Sequence, residues 1–220
     1  MYRYLEEFLA FFNRNDKDGC VEYSITGIRN GDFSIPDLYE KILKPALYSL
    51  DECMDEKDCI WNEHVKSSIV RTIIGSVYPL VIQMGRSRKK LDINVILICP
   101  EDEHHDIGLK MTSDFFTLEG YTPIYIGSHT PRDQICRAIS NTKPKYVAIS
   151  VTDYYHILEA KKLVERIRKT YGRDIKVLVG GNAFKSNQRT VDQIDADLYL
   201  EKYEDIVNLR KRDEKNETGI

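Results

Sequence analysis

The stretch that decides the fold is Leu91–Gly108, LDINVILICPEDEHHDIG. Its first half is a short apolar run rich in β-branched residues, which predicts a buried strand at Ile93–Cys99. The run ends at Pro100, and a polar loop separates it from an amphipathic segment that begins at Ile107. A buried strand followed at once by a helix is the unit from which parallel α/β sheets are built.

The same alternation continues downstream and predicts four more strands. All five predicted strands are Ile93–Cys99, Pro123–Ile126, Tyr146–Val151, Ile175–Val179 and Asp197–Leu200. The helices predicted between them lie near Ile107–Glu119, Arg132–Asn141, His156–Tyr171 and Asn187–Gln193. We therefore expect an α/β domain over residues 91–211, with a flavodoxin-like (Rossmann-type) doubly wound five-stranded parallel sheet. The polar residues 212–220 are expected to form a frayed tail.

Upstream of residue 91, apolar residues recur three and four positions apart, which indicates helices. The pattern predicts four of them: one around Phe8, one from about Val21 to Arg29, one capped by Ser34 and kinked at Pro45, and one from about Cys59 to Met84. Helices of this number and length suggest a four-helix bundle. We expect this bundle to form an N-terminal cap domain over residues 1–90.

Composition narrows the class of protein. The 32 basic residues are interspersed with 35 acidic ones and the net charge is −3, so we expect no direct contact with nucleic acid. The five cysteines have no C-x-x-C spacing, which argues against a disulfide framework and a thiolate zinc site. The N-terminus lacks a signal pattern, and no uninterrupted apolar run reaches about 18 residues. The expected compartment is the cytoplasm, without a membrane span.

Polar residues and glycines follow three of the predicted strands. The segment Glu103–Gly108 follows the first strand, Ser150 ends the third, and Gly180-Gly181 follow the fourth. Residues 109 to 149, 41 in number, separate Gly108 from Ser150, and residues 151 to 179, 29 in number, separate Ser150 from Gly180. Because parallel strands end at one edge of a sheet, where such folds bind ligands, we expect these residues to form one site.

This layout resembles the cobalamin (vitamin B12)-binding domain of the base-off, His-on type, with its fingerprint Asp-x-His-x-x-Gly, Ser-x-Leu and Gly-Gly. The resemblance implies that His105 is the lower ligand to cobalt and that Glu103 accepts the second N–H of its imidazole. It also implies that Ser150 donates a hydrogen bond to the displaced base. The remaining residues implied to line the slot for the nucleotide tail are Asp106, Ile107, Gly108, Thr152, Gly180 and Gly181.

The chain departs from the family pattern at three positions. Glu103 replaces the usual Asp, which is familiar in sensor-type members, and Thr152 replaces the Leu of Ser-x-Leu. Six residues beyond Ser150, where the relay of methionine synthase has a serine, this chain has His156. Any proton relay here is therefore expected to differ.

The helical half resembles the cap that precedes this domain in corrinoid proteins and cobalamin photoreceptors, through Asn30-Gly31-Asp32, Leu43-Lys44-Pro45-Ala46-Leu47 and Glu63-His64. The resemblance implies that Glu63 and His64 face the upper side of the corrin, with His64 as a candidate upper ligand or polar contact. Where the photoreceptors have a shielding tryptophan, this chain has Cys53, and Trp61 is out of register. Adenosyl binding and light sensing are therefore not implied.

Three roles follow from the resemblance. The first is a sensor or regulatory protein acting through a protein partner, since no helix-turn-helix arm is recognised, and self-association is compatible with it. The second is a corrinoid methyl carrier of a methyltransferase system, and the third is corrinoid storage or haem sensing through His105. No catalytic acid, base or nucleophile stands out, so the chain alone is not expected to be an enzyme. The alternative for the loop is a zinc site from Glu103, His104, His105 and Asp106.

Overall fold

A computed structural model describes residues 2–49, 56–185 and 188–218 of this chain. The chain divides into two compact units, residues 1–83 and 84–220. The first unit is helical and the second is an α/β unit with one sheet. The expected class, N-terminal helices followed by a flavodoxin-like α/β fold, is confirmed.

The described residues of the helical unit form four helical segments, each with an apolar face. Their bounds are α1 Arg3–Phe12, α2 Lys17–Asn30, a continuous segment from α3 Ile35–Asp37 through a π-helix Leu38–Leu43 to α4 Lys44–Tyr48, and α5 Glu56–Gly85. Phe8 and Phe12 of α1 are fully buried and stack on each other, with ring centroids 5.3 Å apart. Helix α2 starts four residues before the predicted position, because Asp16 caps it by accepting a hydrogen bond from the Gly19 amide.

The predicted kink at Pro45 takes the form of a π-helical segment. Ser34 and Asp37 form a capping box at the start of the helix, as the sequence pattern predicts for Ser34. Pro45 has no N–H to donate to the carbonyl of Lys41, four residues earlier, so the α-helical hydrogen-bond ladder is interrupted there. The residues on the amino-terminal side of Pro45, Leu38–Leu43, adopt the wider π-helical winding.

Helix α5 contains the segment Ile60–Gly85, which is long and apolar enough to cross a membrane by length and composition. Lys66 and Arg71 interrupt the apolar run of this helix, so the sequence alone predicts no span there. A single such helix is weak evidence for a membrane span, since a core helix meets the same criteria. One stripe of α5 is buried, with residues Ile69, Val70, Ile73, Ile74, Val77 and Val81.

The α/β unit contains a five-stranded parallel sheet with strand order β2-β1-β3-β4-β5. The strands are β1 Asn94–Ile98, β2 Thr122–Gly127, β3 Tyr146–Ser150, β4 Lys176–Gly180 and β5 Leu198–Leu200. The helices are α6 Ile107–Leu118, α7 Arg132–Thr142, α8 Ile157–Tyr171, α9 Gln188–Gln193 and α10 Tyr203–Thr218, with 3₁₀ turns at Tyr154–His156 and Asn182–Phe184. The predicted start of the fourth helix, Asn187, lies outside the described residues.

Helices cover both faces of the sheet. Alternate strand residues point to opposite faces, so Ile96 and Ile98 join a buried cluster with α7 and α8, whereas Val95 and Leu97 face the other side. Helix α6 contacts β1, β2, β3 and α10. Strand order reverses between β1 and β3, and this is the position at which open α/β sheets bind ligands.

The prediction of a frayed tail after residue 211 is wrong. Helix α10 runs to Thr218, and Asp213, within the expected tail, is 1% exposed. Its carboxylate accepts hydrogen bonds from the hydroxyl groups of Tyr121 and Tyr146, each at 2.7 Å, and from Lys145. The buried face of α10 carries polar residues, so the sequence pattern of this packed helix resembles that of a solvated segment. These contacts anchor the C-terminal helix at the amino edge of the sheet.

Candidate functional site

The loops that follow β1 and β3 meet at the carboxyl edge of the sheet, at the switch in strand order. The two strands pair in parallel with Ile98 opposite Ile149, so their carboxyl ends lie side by side. The β1 loop carries Glu103 and His105, and the β3 loop carries Thr152 and Asp153. The fold thus brings together two segments that are about fifty residues apart in the sequence.

The Glu103 carboxylate joins these two loops. It is fully buried, and its Oε1 accepts hydrogen bonds from the His105 backbone amide at 2.9 Å and from His105 Nδ1 at 2.7 Å. Its Oε2 accepts the backbone amides of Thr152 at 2.8 Å and Asp153 at 2.9 Å. One buried side chain therefore fixes both the β3 loop and the imidazole ring of His105.

Glu103 is ionised in this setting. Burial acts to raise the pKa of its carboxyl group, but the hydrogen bonds from the His105 side chain and from the amides of Asp153, His105 and Thr152 outweigh burial and lower the pKa far below its ordinary value. An ionised carboxylate has no proton to donate and acts only as an acceptor. The nitrogen atoms that face it must therefore carry hydrogen.

The contact with Glu103 fixes the chemistry of His105. Because Nδ1 donates to the carboxylate, the neutral ring has its lone pair on Nε2. The side chain is 52% exposed, so the ring reaches the surface at the ligand-binding edge. A carboxylate that accepts the second N–H of an imidazole orients the ring and raises its basicity toward a metal. The donor set is thus suited to hold cobalt through one nitrogen.

The residues after His105 open helix α6. Asp106 precedes the first turn and accepts a hydrogen bond from the Tyr125 hydroxyl at 2.7 Å, while Ile107 begins the helix. Gly108 is exposed, and a Cβ atom added to it would meet nothing within 4 Å. Packing within the described chain therefore does not require a glycine there, and the space beside it is available to a ligand.

Ser150 and Thr152 lie at the end of β3. The Ser150 side chain is 8% exposed, and within the described residues its hydroxyl has no hydrogen-bond partner. A hydroxyl without a partner at the carboxyl edge of the sheet is suited to bind a polar atom of a ligand. Thr152 contributes its backbone amide to Glu103, which is a role that the sequence does not reveal.

Gly180 and Gly181 are required by the packing of the chain itself. A Cβ atom on Gly180 would lie 2.7 Å from the carbonyl oxygen of Leu200 on β5. A Cβ atom on Gly181 would lie 2.2 Å from the carbonyl oxygen of Val151, and Gly181 has a φ of +106°. The chain's own packing therefore requires both glycines, and the passage of the nucleotide tail beside them stays a prediction.

His104 points away from the Glu103 carboxylate. It is exposed, and its Nδ1 lies 3.2 Å from Nε2 of His129, with ring centroids 4.5 Å apart. No group of three or more His, Cys, Asp or Glu side chains that could hold a metal ion occurs in the part of the chain that the structure describes. The four residues considered for zinc are thus not gathered around one point.

The remaining predicted residues belong to the helical unit. Glu63 and His64 lie at exposed positions of α5, and their role at a corrin ring stays a prediction. Trp61 is 52% exposed, and Cys53 lies outside the described residues. In the α/β unit, His156 was not predicted as a site residue, yet its Nδ1 lies 3.3 Å from Glu103 Oε2.

Comparison with known proteins connects this site to a cofactor. The B12 binding domain family matches residues 93–207, which are 115 of the 220 residues and include the β1 loop, Ser150 and both glycines. A curated relative, the HTH-type transcriptional repressor CarH of Myxococcus xanthus, is 24% identical over 157 residues. The match covers 71% of this chain and 50% of the relative, so the chain spans about half the length of that protein.

A solved structure of another protein has the same fold. The monomethylamine corrinoid protein of Methanosarcina barkeri is similar with a TM-score of 0.79 and 16% identity, over 94% of this chain and 96% of that one. A cobalamin-binding protein of Desulfitobacterium hafniense matches with a TM-score of 0.49 and 18% identity, over 94% and 97% of the two chains. At this level of identity the first likeness establishes the fold, from the N-terminal helices through the sheet.

Proposed function

This chain belongs to the B12-binding domain family and takes cobalamin as its cofactor, and from that premise we propose that His105 is the lower ligand to cobalt and that the protein is a cobalamin-dependent sensor acting through a partner. The observation that supports the ligand is the 2.7 Å contact between His105 Nδ1 and the buried Glu103 carboxylate. That contact fixes the tautomer with a lone pair on Nε2, and the ring is half exposed at the edge where the fold binds ligands.

The other predicted residues receive distinct parts in this proposal. Gly108 leaves open space beside the first turn of α6 for the nucleotide tail, and Ser150 offers to the base its hydroxyl, which has no partner among the described residues. Asp106 and Ile107 start α6, while the Thr152 amide, Gly180 and Gly181 shape the backbone around the slot. The bound cofactor supplies a cobalt centre whose upper ligand and oxidation state can change.

The sensor role is supported by the sequence relationship to CarH, which is described as a transcriptional repressor. Glutamate at the position of Glu103, familiar in sensor-type members of the family that this chain resembles, agrees with that role. In a sensor, occupancy or the upper ligand of the cofactor shifts the population of two conformations, and a partner reads the difference. We propose that the partner is a protein and that the compartment is the cytoplasm.

A second candidate role is that of a corrinoid methyl carrier. It is favoured by the end-to-end likeness in fold to the monomethylamine corrinoid protein, which includes the N-terminal helices as well as the sheet. The two roles share the cofactor site and differ in what the bound cobalt is used for. A carrier requires a methyltransferase partner, whereas a sensor requires a partner that responds to its conformation.

The binding proposal is tested by adding hydroxocobalamin, methylcobalamin and adenosylcobalamin to the purified protein and recording UV–visible spectra. We expect the wild type to give the spectrum of a base-off, His-on complex. We expect His105→Ala to lose that spectrum and at least about tenfold in affinity. His104→Ala, a change at the neighbouring exposed histidine, should behave as the wild type. Equal affinity and an identical spectrum for His105→Ala would show that His105 is not the ligand.

The two roles are separated by a second pair of measurements. A sensor changes its oligomeric state, or its binding to a protein partner, when cobalamin is added or its upper ligand is exchanged, and sedimentation would detect the change in oligomeric state. A carrier, reduced to its Co(I) form, becomes methylated when mixed with a methyl donor and a partner methyltransferase. Methylation without any ligand-dependent change in association would overturn the sensor role in favour of the carrier.

A further inference from the structure

Two exposed histidines that take no part in the proposed cofactor site meet beside the sheet. His104 lies in the loop that follows β1, and His129 lies in the loop between β2 and α7. Nδ1 of His104 is 3.2 Å from Nε2 of His129, and the ring centroids are 4.5 Å apart. Imidazole is the commonest side-chain ligand of metal ions in proteins. The fold thus places two such nitrogens within reach of one ion.

The separation of the two nitrogens is that of two ligands on one tetrahedral ion. Zn–N bonds are about 2.0–2.1 Å long, so two nitrogens on one tetrahedral Zn²⁺ lie about 3.3 Å apart. The observed separation is 3.2 Å. A square-planar ion with bonds of the same length holds neighbouring nitrogens about 2.9 Å apart. The geometry therefore favours a tetrahedral ion, which needs almost no movement of either ring.

The hydrogen atoms of the two rings permit this exchange. Without a metal ion, one ring donates its N–H to the other. Neither ring has a second hydrogen-bond partner within the described residues. The hydrogen between the rings can therefore move, by way of solvent, to the outer nitrogen of its own ring. Both inner nitrogens then present lone pairs, and two neutral imidazoles bind the ion without net release of a proton.

The charge of the β1 loop also favours a cation. Residues 100–106 include four acidic residues and no lysine or arginine. Glu101 is paired with Arg132, and the other three, Asp102, Glu103 and Asp106, leave the loop acidic. A local excess of negative charge raises the concentration of cations near it. The loop that carries His104 therefore attracts a divalent ion to the histidine pair.

We propose that His104 and His129 form a two-histidine site for a tetrahedral divalent ion of the zinc class. No third His, Cys, Asp or Glu side chain joins the pair in the described part of the chain, so water fills the two remaining positions. Imidazole nitrogens suit Zn²⁺, whereas Mg²⁺ requires oxygen ligands. The bound ion joins the β1 loop to the loop after β2. The site uses neither Glu103 nor His105, so it does not rest on the proposed function.

Calorimetric titration of the full chain without cofactor tests the site, with ZnCl₂ added at a fixed neutral pH. His104→Phe and His129→Phe keep an aromatic ring but remove a ligand. We expect each to lower zinc affinity at least about tenfold, because the loss of even an outer-shell partner costs about ten- to hundredfold. His64→Phe, the same change at an exposed histidine of α5, is the matched control and should bind zinc as the wild type does. MgCl₂ should give no binding.

A fourth variant separates this site from the neighbouring Glu103–His105 pair. We expect His105→Phe to keep the zinc affinity of the wild type. In the wild type, zinc should shift the imidazole ¹⁵N resonances of His104 and His129 together, a measurement that does not depend on how the variants fold. Loss of zinc binding in His105→Phe, unchanged affinity in both His104→Phe and His129→Phe, or no binding by the wild type would overturn the proposal. Each of these results leaves the cobalamin spectrum as a separate test of the proposed function.

Discussion

Two buried carboxylates lie at opposite edges of the same sheet, and they are satisfied by different donors. Glu103 at the carboxyl edge is held by backbone amides and one half-exposed imidazole. Asp213 at the amino edge is held by two buried tyrosine hydroxyls and a lysine. Both are at most 1% exposed.

The difference shows what each carboxylate is for. The donors around Asp213 come from the side chains of three residues in and beside the sheet, so its bonds serve to attach α10 to the fold. Three of the donors around Glu103 are amides that the loops provide in any case, and the fourth presents a ring to the surface. The carboxylate at the amino edge attaches a helix to the sheet, whereas the carboxylate at the other edge orients a half-exposed imidazole ring, where we propose that the cofactor binds.

The largest loss of stability is expected from removing the carboxylate of Asp213 at the amino edge of the sheet. Asp213→Ala leaves Tyr121, Tyr146 and Lys145 without their common acceptor, so we expect the free energy of unfolding to fall by about 3 kcal/mol. Urea denaturation followed by circular dichroism measures it. Asp133→Ala, at an 82% exposed aspartate side chain on α7, is the control and should change stability by less than about 0.5 kcal/mol. A similar loss for both variants would contradict the anchoring role.

The second largest effect concerns Glu103 at the carboxyl edge of the sheet, whose contribution to stability depends on pH. Glu103→Gln places an amide N–H against donors, so we expect a loss of about 2 kcal/mol of stability together with weaker cobalamin binding. In the wild type the pKa of Glu103 is lower in the folded state than the ordinary value of 4.5. The folded state therefore binds fewer protons, so this contribution is complete above pH 4.5 and declines as the pH falls.

Measurement of unfolding free energies between pH 3 and pH 7 tests that dependence. The difference in stability between the wild type and Glu103→Gln should shrink as the medium becomes more acidic. A difference that stays constant across this range would show that the carboxylate does not lose its charge-dependent advantage there.

The smallest expected change in stability comes from alanine substitutions at the glycines of the site, and its sign differs between Gly108 and Gly181. Gly108→Ala lies in the first turn of α6 with open space around it, so we expect it to raise the free energy of unfolding by about 0.5 to 1 kcal/mol and to lower cobalamin affinity. Gly181→Ala is the contrasting variant. It should lower stability, because the added methyl would meet the Val151 carbonyl and the backbone has a positive φ. Unchanged cobalamin affinity in Gly108→Ala would place the nucleotide tail elsewhere.

The strands of the sheet could be predicted from the sequence, because short apolar runs rich in β-branched residues and separated by turn residues rarely form anything other than strands. The five strands agree with the structure within two residues at either end, as at β1, Asn94–Ile98, predicted as Ile93–Cys99. Helix α10 was missed for a physical reason. Its buried face carries Arg210, which donates to the Glu119 carbonyl, and Asp213, which accepts from the Tyr121 hydroxyl, and both hydrogen bonds depend on the tertiary fold.

The site was predictable only where side chains carry the chemistry. His105, Glu103 and Ser150 can be recognised in the sequence from their residue types and their spacing. The predicted contact between Glu103 and His105 is present in the structure. The hydrogen bonds from the amides of Thr152 and Asp153 could not be predicted from the sequence, because every residue except proline has a backbone N–H. The approach of His156 to Glu103 depends on the 3₁₀ turn after β3, and no local sequence pattern predicted that turn.

The two amides that hold Glu103 come 49 and 50 residues later in the chain than the carboxylate itself. During synthesis, a nascent chain that ends before residue 153 contains His105 but lacks the loop that completes its support. Contacts of such long sequence separation form late in folding. We therefore expect Glu103 to gain its full set of donors, and the His105 ring its final support, only after β3 and its following turn have left the ribosome.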